Sequence, residues 1–236
     1  MNAPSSTSPG RLPRWAIIVT ILTALAVVGS LIAISARGGS STARAAGLTG
    51  VDEVTAMVAG VPQAGDRLGR PDAPVEVIEY ADLQCPYCAA ASSGTVPSLI
   101  DRYVRDGVAR LTFRPLAFIG PDSTRGALAA AAAGQQSRLW PFVELLYRNQ
   151  GQENGGWLSD AIITDAASAL GIDTASLRAD RAGSAAATSL ASATAAAKAD
   201  GVDSTPTFIV AGPKGRVTIK DYADLAEFAT AVAAVR

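Results

Sequence analysis

Cys85 and Cys88 are the only cysteines among 236 residues, and they close the stretch EYADLQCPYC at 79 to 88. Two intervening residues let both sulfurs lie on the first turn of one helix. That spacing serves either reversible thiol–disulfide exchange or half of a metal site. Histidine is absent, which excludes Ser-His-Asp and Cys-His nucleophile activation and any zinc site that needs imidazole. Met1 and Met57 are the only methionines, so a copper site would find few soft ligands beyond the cysteines. For exchange, the attacking species is the thiolate. A cysteine at a helix start lies beside unpaired backbone N–H groups and the positive end of the helix dipole, and both favour the anion. Cys85 takes that position, and its thiol should ionise below the free-thiol value. Cys88, one turn further in, is placed to attack a mixed disulfide between Cys85 and another protein.

The elements that must hold this pair can be read around it. VEVIEYAD at 75 to 82 is rich in β-formers and ends just before Cys85; Pro86 suits the first position of a helix, where its missing N–H costs nothing. The cysteines therefore fall where a strand turns into a helix. VARLTFRPL at 108 to 116 predicts a second strand, TPTFIVAGPKGRVTIK at 205 to 220 a hairpin turning at GPKG, and 222 to 235 a final helix. Between 120 and 200 the chain is rich in alanine and helical in period. Ser159 and Asp173 are expected as N-caps there, with Ile162, Ile163, Ala166 and Leu170 on one buried face. Trp140, Phe142, Leu145 and Leu146 likewise have the spacing of a core face. In the first strand the alternation puts Glu79 on the face of Val75, Val77 and Ala81, which predicts a buried carboxyl; a strand-edge carboxylate reaching solvent is the plainer alternative.

The N-terminus sets the compartment. Residues 15 to 36 carry no charge, and at ~1.5 Å rise per residue they reach ~33 Å, enough to cross a bilayer core. A transmembrane anchor is expected there. A cleavable signal peptide is the rival, since ARA at 43 to 45 resembles a cleavage site, but its apolar region should run only ~7 to 15 residues. Arg11 and Arg14 precede the span without acidic residues, which favours a cytoplasmic segment 1–14, a span 15–36 and everything later outside the cytoplasm. Residues 37–64 are expected as a tether, from the RGGSSTARAAG run at its start. The formal net charge of −1 argues against a nucleic-acid partner. Outside the cytoplasm a cysteine pair persists as a disulfide.

Taken together, EYADLQCPYC, RLTFRPLAF, SRLWPFVELLYRNQ and GVDSTPTFIV resemble the DsbA-like thiol:disulfide oxidoreductases of the thioredoxin fold, in particular membrane-anchored bacterial members. The resemblance spans roughly residues 65 to 235. It implies an α/β thioredoxin-like fold at 65–119 and 201–236, with a helical domain inserted at 120–200 and one N-terminal transmembrane helix ahead of it. It further implies that Cys85 is an exposed nucleophile, that Cys88 resolves, that Pro206 is cis and faces the pair, and that Glu79 relays a proton to the resolving thiol. Without it, trans would be the default for Pro206, since only ~5 to 6 % of X-Pro bonds in folded proteins are cis. Pro86, Tyr87 and Thr205 would contact the substrate. Tyr87 stands where the best-known members have histidine. The expected activity is oxidation of reduced secreted or envelope proteins, with no cofactor beyond the Cys85–Cys88 disulfide, no metal, and reoxidation by a membrane-embedded redox partner. A reductase or isomerase, or a tethered metal- or peptide-binding module of the same fold, are the alternatives.

Overall fold

The computed structural model describes residues 47–236; the expected span 15–36 lies outside them, as do the segment 1–14 and the start of the tether. Among the described residues no helix is long and apolar enough to cross a membrane. The chain runs α1 (Val51–Val58), β1 (Gln63–Ala64), β2 (Arg67–Leu68), β3 (Val75–Ala81), α2 (Pro86–Ser93) and α3 (Thr95–Leu99). After a π-helical turn over Ile100–Val104 come β4 (Ala109–Pro115), α4 (Pro121–Gln135), α5 (Leu139–Arg148), α6 (Asp160–Ala169), α7 (Thr174–Arg181) and α8 (Ser184–Ala199). The hairpin β5 (Thr207–Gly212) and β6 (Gly215–Thr218) and the helix α9 (Leu225–Val235) complete it.

One six-stranded sheet, ordered β1-β2-β4-β3-β5-β6, carries these elements. β3 pairs parallel with β4 and antiparallel with β5, so it is central and its backbone groups are satisfied on both sides. Its side chains alternate between two cores. Val75, Val77 and Ala81 join Phe113, Trp140, Phe208 and Phe228 in the larger one; Ile78 and Tyr80 join Leu116, Ala197 and Ile209 in the smaller one behind the sheet. Edge-to-face pairs Phe113–Trp140, with centroids 5.9 Å apart, and Phe208–Phe228, 5.4 Å apart, line the larger core.

The helical stretch is dense because it is built from small residues. Ala129, Ala130, Ala132 and Ala133 of α4 are fully buried, and α8 brings Ala186, Ala193 and Ala197 inward. Gly126 allows α4 to approach Leu83, two residues before Cys85, and Leu158: a Cβ there would lie 2.8 Å from Leu83 and 2.9 Å from Leu158. Ser159 and Asp173 cap α6 and α7 through the Ile162 and Ser176 N–H groups. Trp140, Phe142, Leu145 and Leu146 are core.

The 37–64 tether expected from composition is not a tether from residue 51 onward. Val54 and Val58, one turn apart, are buried, and the segment is tied at Thr49, whose N–H donates to Asn149 Oδ1 at 2.9 Å while Asn149 Nδ2 returns a bond to its carbonyl, also at 2.9 Å. Two apolar residues at helical spacing are enough to dock α1 once that partner surface exists. The final helix begins at Leu225 rather than near 222, because Asp224 caps it through the N–H groups of Ala226 and Glu227.

Candidate active site

β3 ends at Ala81 and α2 begins at Pro86, and the four-residue turn between them holds Cys85 at the N-cap with extended backbone, φ −73° and ψ 121°. The turn is stapled from several directions. Asp82, fully buried, accepts the Gln84 N–H at 2.9 Å with Oδ1, and the Phe118 and Ile119 N–H groups at 2.8 and 3.1 Å with Oδ2. Gln150 Nε2 donates to the carbonyls of Leu83 and Cys85 at 2.8 and 3.1 Å, and the Tyr147 hydroxyl donates to that of Asp82 at 3.3 Å. Gln84 donates to Ser123 Oγ at 2.9 Å and accepts the Asn154 N–H at 2.6 Å. Sequence reasoning missed Asp82, Gln84, Tyr147 and Gln150. For the first two a signal was available: polar residues following the last residue of a buried strand must find partners.

Across from the turn, the Thr205–Pro206 peptide is cis, and Cys85 Sγ lies 3.3 Å from the Thr205 carbonyl, which accepts from the thiol. Cys85, Cys88 and Thr205 are thus brought together, with Pro206 next to Thr205 in the facing loop. Pro86 and Tyr87 face solvent beside them. Tyr87 at 64 % and Phe118 at 49 % exposure are the large apolar side chains left open among the described residues. Cys85 is not an exposed residue; it is 5 % accessible, and Cys88 is fully covered. The facing Thr205 loop covers the first sulfur, and the core covers the second.

The two thiols are driven apart electrostatically. The hydrogen bond from Cys88 pulls the Cys85 thiol down to about 6 against the opposing effect of burial, with further help from the Thr205 side chain and the N–H groups of Cys88 and Tyr87. Thr205 therefore acts on both forms, its carbonyl holding the thiol and its side chain favouring the thiolate. Cys88 is pushed far above its ordinary value, first by burial and then by Cys85. Such a pair can present one sulfur as a thiolate near neutral pH while its neighbour holds its proton.

Glu79 lies beneath them on β3, paired in register with Phe113 and Phe208. It is 2 % exposed, which decides against a strand-edge carboxylate, and neither of its oxygens has a hydrogen-bond partner. Burial first, and then the neighbouring Glu144, raises it well above the usual carboxylate range.

A thioredoxin family model matches residues 63–228 of the chain. The chain belongs to the thioredoxin family. Within it the resemblance is to the DsbA-like members. The probable disulfide bond formation protein D of Bacillus cereus is 35 % identical over 98 residues, 41 % of this chain and 45 % of that protein. The chain thus matches less than half the length of that curated relative. A Na(+)/H(+) antiporter NhaA 1 of Salinispora arenicola is 35 % identical over 178 residues, covering 72 % of this chain and 25 % of that protein. In fold, the oxidised structure of BdbD from Bacillus subtilis superposes with a TM-score of 0.64 at 24 % identity, over 73 % of this chain and 95 % of that one.

Proposed function

We propose that the chain is a thiol:disulfide oxidoreductase that introduces disulfides into reduced secreted or envelope proteins. The observation that carries this reading is the unequal pair: a Cys85 thiol held at about 6 at a helix start and a buried Cys88 that keeps its proton. The redox group is the Cys85–Cys88 disulfide itself, with no further cofactor. A client thiolate attacks Cys85 Sγ, the Cys85–Cys88 bond breaks, and its electron pair goes to Cys88, which takes a proton. A second client thiolate then attacks the client sulfur of the mixed disulfide, closing the client disulfide and releasing Cys85 as its stable thiolate. The client loses two electrons and two protons; the protein gains both electrons and, at Cys88, one proton, and the other proton passes to solvent. Pro86, Tyr87, Thr205 and Pro206 form the rim against which the client backbone would lie. Glu79 supplies the proton to Cys88.

The direction is supported by the relative's printed name, disulfide bond formation protein, and by the low Cys85 value, since a stable leaving thiolate favours release of an oxidised client. The uncharged 15–36 span supports a single-pass anchor with the domain outside the cytoplasm and a membrane-embedded partner that reoxidises it. Incubating the oxidised chain with a reduced model protein should remove two client thiols per chain. Cys88→Ser should accumulate mixed disulfides through Cys85, and Cys85→Ser almost none. Equal trapping by both, or no loss of client thiols, would overturn the assignment. Protease added to intact spheroplasts should degrade the domain; protection would overturn its placement.

A further inference from the structure

The core beneath the cysteines holds a second carboxyl group that the exchange reaction does not use. Glu79 comes from β3 and Glu144 from α5, in the helical stretch, and each is 2 % exposed. Their surroundings differ in kind. Glu79 has no hydrogen-bond partner on either oxygen. Glu144 accepts the Ser92 hydroxyl, and Arg148 stands one turn on in its own helix. Ser92 lies one turn beyond Cys88 on α2, so the bond ties the helical stretch to the cysteine helix. A charge in this dry pocket is stabilised at Glu144, where the Ser92 hydroxyl donates to it and the Arg148 charge attracts it from one turn away, and unsupported at Glu79.

We propose that Glu144 is a positioning residue for Glu79: it takes the first negative charge the pocket holds and so reserves the Glu79 proton for the Cys88 sulfur. This rests on the exchange reading above. When a client thiolate breaks the Cys85–Cys88 bond, Cys88 leaves as a thiolate in a site that disfavours charge. The Glu79 carboxyl gives it a proton and becomes the carboxylate, which a proton from solvent later restores. Only a protonated Glu79 can do this.

The order of ionisation agrees with the geometry. Burial raises Glu144 to about 8, against Ser92 and Arg148, which lower it. Glu79 is raised by burial and additionally by the Glu144 charge, and the two titrate as a coupled pair. The Tyr147 hydroxyl marks the same cluster, raised first by burial and then by Cys88, Glu79, Glu144 and Asp82. The helices packed against α5 add no free charge to it: Asp52, Glu53, Asp160 and Asp165 face solvent, and Asp122 is paired with Arg125 at 2.7 Å.

The test follows reduction of the oxidised full-length chain in detergent by glutathione, across roughly pH 6 to 10, with each rate divided by the thiolate fraction of glutathione. The corrected rate should fall only above an inflection set by Glu79. Glu144→Gln removes the repelling charge and should move that inflection down by about one pH unit, roughly a tenfold lower corrected rate above both inflections. Ser92→Ala keeps both carboxyls but takes the donor from Glu144; the inflection should move the same way, by less. It decides the matter alone if the glutamine variant does not fold. Reduction at normal rates with the inflection unmoved in the folded variants would overturn the role of Glu144 while leaving the exchange reading intact. A disulfide that glutathione reduces at no pH would overturn both.

Discussion

The stability gap between the dithiol and disulfide forms of the chain should depend on pH in a way the cysteine turn dictates. In the folded reduced protein the Cys85 thiol lies near 6, against 9.0 ordinarily, chiefly through its bond from Cys88. The folded value is below the unfolded one, so the thiolate stabilises the reduced fold fully above pH 9, and the effect is lost as pH falls through 6. Linkage gives about 1.4 kcal/mol at pH 7 and about 2.7 kcal/mol at pH 8. Cys85 is 5 % exposed and adjoins the solvent-facing Pro86 and Tyr87, and solvent screening cuts these figures to roughly half. Cys88 acts in the opposite sense. Its folded value is raised, chiefly by burial, so it costs nothing below its ordinary value of 9.0 and destabilises the reduced fold increasingly above it. Glu79 and Glu144 are present in both redox forms and largely cancel in the difference. The reduced-minus-oxidised gap should therefore climb between about pH 5 and 8, crest near 9 and decline beyond. Urea unfolding of both forms at about pH 5, 7, 8 and 10 measures it, and ~30 mV of added oxidising power accompanies each ~1.4 kcal/mol. A gap that stays flat or falls between pH 5 and 8 would refute the assignment of a stabilised thiolate to Cys85.

Two further outcomes follow from the buried polar groups. Glu144 is raised to about 8 by burial, so its contribution is present below its ordinary 4.5 and is lost as pH rises towards 8. Glu144→Gln should accordingly stabilise the fold by roughly 2 to 3 kcal/mol near pH 7 and by almost nothing near pH 4, read from urea midpoints; equal effects at both would refute it. Asp82→Ala strips the acceptor from the Gln84, Phe118 and Ile119 N–H groups. It should cost roughly 3 kcal/mol in the same assay and slow glutathione reduction of the disulfide; an unchanged midpoint would show that the turn does not depend on it.

What the sequence made legible was local. The β-rich run into Cys-Pro placed the cysteines at a strand-to-helix turn, the period of two put Glu79 on the buried face, and Ser159 and Asp173 announced their helices. Each of these needs only neighbours within a turn or a strand. The docking of α1 was hidden because Val54 and Val58 gain their burial from a surface contributed far along the chain, through Asn149 at a separation of 100 residues. Asp82 and Gln150 were missed for the same reason: the bonds that make them necessary reach to Phe118 and to Leu83, 36 and 67 residues away.

Glu144 shows why a core helix can still carry site chemistry. In LWPFVELLYR a lone glutamate among apolar residues reads as the solvent edge of an amphipathic helix, yet it is as buried as Leu139 at the start of the same helix, each 2 % exposed. Tyr147 and Gln150 follow at helical spacing and point towards the same turn, where they hold the Asp82, Leu83 and Cys85 carbonyls. The apolar side chains of this helix fill the core, and its polar ones reach through that core to the cysteines. A segment with only the first duty could exchange Glu144 and Tyr147 of the helix, and Gln150 just past its end, for leucines of similar volume at little cost. Here exchanging Tyr147 and Gln150 would leave the backbone carbonyls of the Cys85 turn without their donors, and exchanging Glu144 would leave the Ser92 hydroxyl without its acceptor, so the Cys85 turn and the helical stretch must be kept in register with each other.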